Sequence, residues 1–198
     1  MTPGSTSLGA ELAYRDASLS HVKNGAYGEM FVSAMISAAF GTNNIDDIIE
    51  AGLSVIPKNS RLTEALRDTV AWSRRHRNWQ DTWAKVMEKY GHYHWVHTIN
   101  NAAMVLIGLL YGKGDYEQSI TISVMSGMDT DCNGATTGSI LGVMLGAGAL
   151  PKKWVNPLKD RLNSYVMGYD KSRISGLAKQ TLKPVSYTHL TLPTKRIV

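Results

Sequence analysis

Between residues 133 and 150 the chain carries no charge, and Gly134, Gly138, Gly142 and Gly146 recur there every four residues. That spacing puts the four on one face of a helix. Each glycine in a helix interior costs about 1 kcal/mol against alanine, so four together call for compensation. Close approach of neighbouring backbones would supply it, and the segment is therefore expected to be a central, buried helix. A bilayer is the other home for a charge-free run of nearly this length. Gly, Thr, Ser and Asn fill the run, however, and large apolar side chains are few, so transfer into lipid would be only weakly favourable. At its N-terminal end lies the polar stretch "DTDCN", residues 129–133.

The rest of the chain must pack around such a helix, and its apolar residues recur at helical spacing. Ala26, Tyr27, Met30, Phe31, Ala34, Met35, Ala38 and Ala39 form one stripe. Ile45, Ile48, Ile49, Leu53 and Ile56 form a second, which Pro57 ends. Ser60 is placed to cap a helix with Leu62, Ala65, Leu66 and Val70 inward. Trp79, Trp83, Val86, Met87 and Tyr90 make a further stripe closed by Gly91. Residues 102–110 are apolar nearly all round, which predicts a central helix, and "GKGD" (residues 112–115) is a turn with a cap for the next one. No strand-period run of useful length precedes residue 185. The fold expected is all-α, in a single domain.

With 43% of 198 residues hydrophobic and 19% charged, the chain can bury a sizeable core and is not of the disordered class. A single cysteine excludes an internal disulfide framework, and the N-terminus has no basic-plus-apolar leader; a cytoplasmic location is expected. The net charge of +5 is spread out apart from "SRRHR" (residues 73–77), read as a solvated helix end rather than a nucleic-acid site. The last fourteen residues, "VSYTHLTLPTKRIV" (185–198), lose the helical period and coincide with the translation of a sequencing-library adapter, ending on the valine that precedes the adapter's stop. They are read as a non-native tail, leaving residues 1–184 as the domain and a formal charge of +3 once Lys195 and Arg196 are set aside.

Asp129 and Asp131 admit two readings. A helix N-terminus exposes unpaired amides and the positive end of a dipole, so either carboxylate can serve as a cap. Two carboxylates two residues apart on a turn can also aim at one point, and hard divalent cations take oxygen ligands. Cys132 is either a small buried residue or a third ligand.

The surrounding residues add a resemblance. "SGMDTDCNGATTGSILGVMLGA" (residues 126–147) resembles the ADP-ribosylglycohydrolase family, whose signature is Gly-Gly-Asp-Thr-Asp-Thr followed by a small-residue helix. "RDASLSH" (15–21) is similar to the family's helix end carrying Thr-His, "KYGHYHWVHTINNAAMVLIGLLYGKGDYEQSI" (89–120) to the glycine-containing loop and helix before the signature, and "ALPKKW" (149–154) to its usual sequel. The similarity spans about residues 11–182. It implies a helical bundle with two Mg2+ ions in a cleft, Mn2+ being an alternative, that hydrolyses the glycosidic bond of ADP-ribose on a protein, a nucleic acid or a small conjugate. It makes Asp129 and Asp131 catalytic metal ligands with Cys132 beside them. His21, Gly91, His92 and Tyr93 become substrate-binding residues, with plain packing as the rival reading for the aromatics and a partly buried core position as the rival for His21.

Two departures weigh against full activity. Cys132 stands where the family has threonine, and a thiol is a poor partner for magnesium. The family's Gly-Asp-Ala turn and Thr-Asp-Asp segment are not found; Asp46 and Asp47 read as first-turn charges of an ordinary helix. The chain is thus expected to be a C-terminal portion holding half of a binuclear site, inactive alone. The alternative is a non-catalytic ADP-ribose-binding or structural relative. His92, His94 and His97 suggest zinc, with His94 and His97 on one helix face, but no second cluster answers them except distant His21. No membrane partner is expected, and nucleic acid only as a modified substrate.

Overall fold

The computed structural model of the chain describes residues 2–191. Two compact units divide it, Thr2–Ala149 and the residues from Leu150 onward.

The first unit consists of eight helices. α1 (Thr6–Ala17) meets α2 (Asn24–Ala39) through small residues, with Gly9, Ala10, Ala13 and Ala17 buried. α3 (Ile45–Ser54) buries Ile48, Ile49 and Leu53, with Asp46 and Asp47 in its first turn behind an Asn44 cap. α4 (Arg61–Ser73) starts where Ser60 accepts the Thr63 N–H, and it turns Leu62, Ala65, Leu66 and Val70 inward. α5 (Trp79–Tyr90) ends at Gly91. The basic "SRRHR" run sits at the C-terminal end of α4, where the helix dipole favours positive charge.

α6 (Thr98–Gly112) is the centre of the packing, as its uniformly apolar run leads one to expect: Ile99, Ala103, Met104, Leu106, Ile107 and Leu109 have at most 1% of their surface exposed. Asp115 caps α7 (Tyr116–Met125) by accepting the Gln118 N–H. α6 and α7 lie close because Gly108 and Gly112 have no side chain. A Cβ on Gly112 would come within 2.6 Å of the Ser119 Cα, and one on Gly108 within 2.7 Å of the Ser119 carbonyl oxygen.

α8 (Thr130–Leu145) is the glycine-spaced helix, and it corrects the expectation of a central position. Only Asn133, Thr137, Ile140 and Leu141 are buried. Gly134 and Gly138 accommodate the side chains of Val124 and Ile120 on α7, no atom lies within 4 Å of a Cβ built on Gly142, and Gly146 stands past the helix end with a left-handed φ of 72°. Among the described residues no helix is long and apolar enough to cross a membrane.

The second unit contains α9 (Lys152–Val155), a 3-10 turn (Asn156–Leu158), two short strands and α10 (Ile174–Thr191). The strands, β1 (Arg161–Asn163) and β2 (Lys171–Arg173), pair antiparallel with Arg161 opposite Arg173 and Asn163 opposite Lys171. At three residues each they fall short of a strand-period run of useful length, and the fold stays mostly helical. Neither face of this hairpin is buried, so no apolar alternation announces it. α10 runs on through Pro184 to Thr191, past the point where the sequence loses its helical period; residues 192–198 of the tail lie outside the described residues.

Candidate functional site

The turn before α8 is built from left-handed backbone. Gly127 has φ 81° and Met128 φ 64°; for glycine this region is free, whereas for methionine it carries a steric cost. Met128 occupies the second glycine position of the Gly-Gly-Asp-Thr-Asp pattern, a departure that reading the sequence did not single out. Packing against the core offsets that cost: Met128 lies on the apolar cluster, and its Sδ is 3.6 Å from the Asn100 amide nitrogen.

The chain then enters α8 with Asp129 at the N-cap position, yet no side chain makes a capping hydrogen bond there. Asp131 follows in the first turn. The capping role considered for these carboxylates is therefore not what holds them, although the positive end of the α8 dipole favours both. One ligand atom from each of Asp129, Asp131 and Cys132 lies within 4.8 Å of the others. Cys132 is exposed, which corrects its reading as a small buried residue. A hydrogen bond to the Asp129 carboxylate, then burial, then the charges of Asp129 and Asp131 push its thiol above the ordinary range and keep it protonated.

Three asparagines hold the turn in place, none of them singled out from the sequence. Asn101 on α6 accepts the Asp129 N–H at 3.0 Å and the Asn133 side-chain amide at 2.8 Å. Its own amide donates to the carbonyls of Trp95 at 2.8 Å and His97 at 2.9 Å. Asn100 donates to the His94 carbonyl at 3.1 Å. Two adjacent side chains at the start of α6 thus tie the loop at residues 93–97 to the aspartate turn. Trp83 on α5 adds a fourth point by donating Nε1–H to the Ser126 carbonyl at 2.8 Å. The signal available in the sequence was the Asn100–Asn101 pair itself, polar residues opening the most apolar helix of the chain.

Beside the turn is a recess of about 210 Å³ between α2, α6 and α8, lined by Phe31, Val96, Thr98, Asn101, Asp129 and Cys132 among others. Small-molecule sites usually span roughly 300–1,000 Å³, so this recess takes a fragment of a nucleotide-sized ligand and not the whole. Of the expected substrate-binding residues, His21, Gly91, His92 and Tyr93 do not line it. His21 is exposed in the α1–α2 connection, its Nδ1 2.8 Å from the Ser20 hydroxyl, so the core-histidine reading fails.

Gly91, His92 and Tyr93 belong to the loop between α5 and α6. There the Tyr93 ring stacks on His97 with centroids 4.5 Å apart, and His92 leans on Tyr93 at 4.2 Å. His94 and His97 do not share a helix face: His94 lies in the loop, and His97 caps α6 by accepting the Ile99 N–H on Nδ1. Burial, then the neighbouring His92 and His94, lowers the pKa of His97. Among the described residues the metal-competent group is Asp129, Asp131 and Cys132, and no three histidines converge.

Searches of curated proteins and of solved structures returned no match. A profile of the ADP-ribosylglycohydrolase family matches residues 2–188, almost the whole chain and four residues into the segment read as a tail. This family hydrolyses ADP-ribose linkages, acts on ADP-ribosylated substrates and is typically metal-dependent. The aspartate turn, the loop that carries Tyr93 and the helices behind them all fall within the matched span, and the chain belongs to the ADP-ribosylglycohydrolase family.

Proposed function

We propose that this chain is part of a cytoplasmic hydrolase that cleaves the glycosidic bond between ADP-ribose and a protein, nucleic-acid or small-molecule acceptor. In this reading Asp129 and Asp131 hold Mg2+, or Mn2+, as half of a binuclear centre. A Thr-Asp-Asp segment that this sequence does not contain supplies the remaining ligands. The observation that carries the proposal is the convergence of the Asp129 and Asp131 carboxylates at the positive end of α8, beside a recess, in a chain matched to the family over residues 2–188.

The donor set fits the metal in part. Two carboxylates suit a hard cation. The Cys132 thiol, hydrogen-bonded to Asp129, is a poor partner for magnesium. When bound, paired cations orient a water and a ribose hydroxyl and stabilise developing negative charge. The protein's own contribution is placement. Asn101 fixes the backbone at Asp129 and, through the carbonyls of Trp95 and His97, the loop that presents Tyr93. His92 and Tyr93 supply an aromatic surface for the nucleotide end of the ligand, with Gly91 beside them; His21 donates to ribose or diphosphate oxygens.

Calorimetric titration of the chain with MgCl2 and MnCl2 tests the metal assignment. Binding is expected in the wild type and is expected to vanish in D129N and D131N; equal heats in all three would remove it. Incubation of residues 1–184 with an ADP-ribosylated protein tests the half-site. No release of ADP-ribose is expected, and turnover by this chain alone would sink that element of the proposal. A second reading, a non-catalytic ADP-ribose binder, is favoured by Cys132 standing where the family signature has threonine. It requires ADP-ribose to bind D129N as tightly as wild type.

A further inference from the structure

We propose that the exposed face of the β1–β2 hairpin binds the phosphodiester backbone of single-stranded nucleic acid. The inference does not rest on the hydrolase reading, because it concerns the second unit alone.

Charge is divided unevenly along this chain. Residues 2–149 contain eleven Lys and Arg against fourteen Asp and Glu, a net of −3, whereas residues 150–184 contain eight against two, a net of +6. Such asymmetry points to an anionic partner for the basic part. The hairpin then concentrates the charge on one surface. Side chains alternate along a strand, so the opposed pairs Arg161–Arg173 and Asn163–Lys171 share one face, with Leu162 and Ser172 on the other. Lys159 enters the same groove, which measures about 610 Å³ and is lined by Lys159, Arg161, Asn163, Lys171, Ser172 and Arg173.

Two like charges directly opposite across a ladder repel, and one long ion pair is the relief that the described residues offer. Lys159, Arg161 and Lys171 have no ion-pair partner among the described residues, and Arg173 reaches only Asp160, at 4.0 Å. Asp160 is committed elsewhere. Its carboxylate accepts the Ser175 N–H at 2.8 Å and the Ser175 hydroxyl at 2.7 Å, holding the start of α10. An anion on the face would satisfy charges that the fold leaves unmatched.

A polymer fits better than a single ion. The cations stand in two rows, Arg161 with Arg173 and then Lys171, two residues or roughly 6–7 Å apart along the strands. A linear phosphodiester can touch both rows, and guanidinium forks match phosphate oxygens. At the turn of the hairpin Tyr165 is fully exposed and Tyr169 is nearly half exposed, offering rings on which unpaired bases can stack. An anionic membrane is the competing partner, since Val166 and Met167 are exposed beside Tyr165. The cations lie along the ladder rather than around that tip, which favours the strand-tracking ligand.

Fluorescence anisotropy of a labelled twelve-residue oligo-dT, titrated with the full chain between 50 and 300 mM NaCl, tests the proposal. Four phosphate contacts predict a slope of log K against log salt of about −3, from roughly −0.7 per contact on a single strand. R161Q/R173Q is expected to halve that slope and to weaken binding about tenfold or more at 100 mM NaCl. R161K/R173K keeps the charge and should keep the slope, which separates lost contacts from a lost hairpin. Y165A should lower affinity at an unchanged slope. Absence of binding at 50 mM NaCl, or an unchanged slope in R161Q/R173Q, would overturn the proposal. So would tighter binding to phosphatidylserine vesicles than to oligo-dT, or full displacement by inorganic phosphate at equal charge.

Discussion

Asn101 makes four side-chain hydrogen bonds while only 8% exposed, two to the loop just before it and two to the distant aspartate turn. Replacement by alanine strands the Asp129 N–H and the Trp95 carbonyl, whereas the His97 carbonyl keeps the backbone N–H of residue 101 and the Asn133 amide keeps the Gly127 carbonyl at 3.5 Å; a polar group left without a partner is costly. N101A is therefore expected to lose about 2–4 kcal/mol in urea unfolding. It should also weaken Mg2+ or Mn2+ binding, since the backbone at Asp129 loses its anchor. Intact stability would show that water replaces the side chain. His97 provides a pH test at the same scale. Its folded pKa lies below the ordinary value of about 6.5, so between the two the unfolded chain binds the extra proton. Stability is complete above about pH 6.5 and falls as the pH drops through that window, until the folded pKa is passed. H97N retains an N-cap acceptor and cannot titrate. Between pH 7.5 and 5.5 the wild type is expected to lose more Tm than H97N, and parallel losses would assign the acid sensitivity to other groups.

Helices show most clearly what pattern alone can convey. The stripes of α2, α3, α4 and α5, the Ser60 and Asp115 caps and the central place of α6 were all legible, because a buried apolar face and a capping side chain leave local marks. Glycine spacing did not say which helices come close. It pointed to α8, but the backbone contact belongs to Gly108 and Gly112 of α6 against Ser119 and Ser123 of α7, where the partner residues are as telling as the glycines. The closeness of Asp129 and Asp131 was legible from their spacing, whereas the support of their turn by Asn100 and Asn101 was not, since hydrogen bonds between distant segments leave no local period. The glycine assignment has a sharp check. G108A and G112A press a methyl group into α7 and are expected to destabilise by about 1–3 kcal/mol. G142A faces open space and is expected to stabilise by up to about 1 kcal/mol. Thermal unfolding of the three variants decides it, and a stabilised G112A would mean that α6 and α7 do not meet as described.

At the scale of the molecule the two units differ in what can hold them together. Among the described residues every buried core residue lies between Ala10 and Leu141, and none of residues 150–183 is buried. A two-stranded hairpin without a covered apolar face is marginal in water, so the second unit has little cooperative stability of its own. Hydrogen exchange should resolve this as two populations. Amides of α6 are expected to exchange near the rate of global unfolding and those of β1 and β2 faster by orders of magnitude. Removal of residues 185–198, read in sequence as a foreign tail, leaves in place every core side chain among the described residues. Tm is therefore expected to move by less than about 2 °C, since 1 kcal/mol shifts a chain of this size by about 2–4 °C. A larger drop would show that this segment packs on the domain and belongs to it. Protection of β1 and β2 equal to that of α6 would mean instead that the hairpin is covered, and its cationic face would then be closed to any ligand.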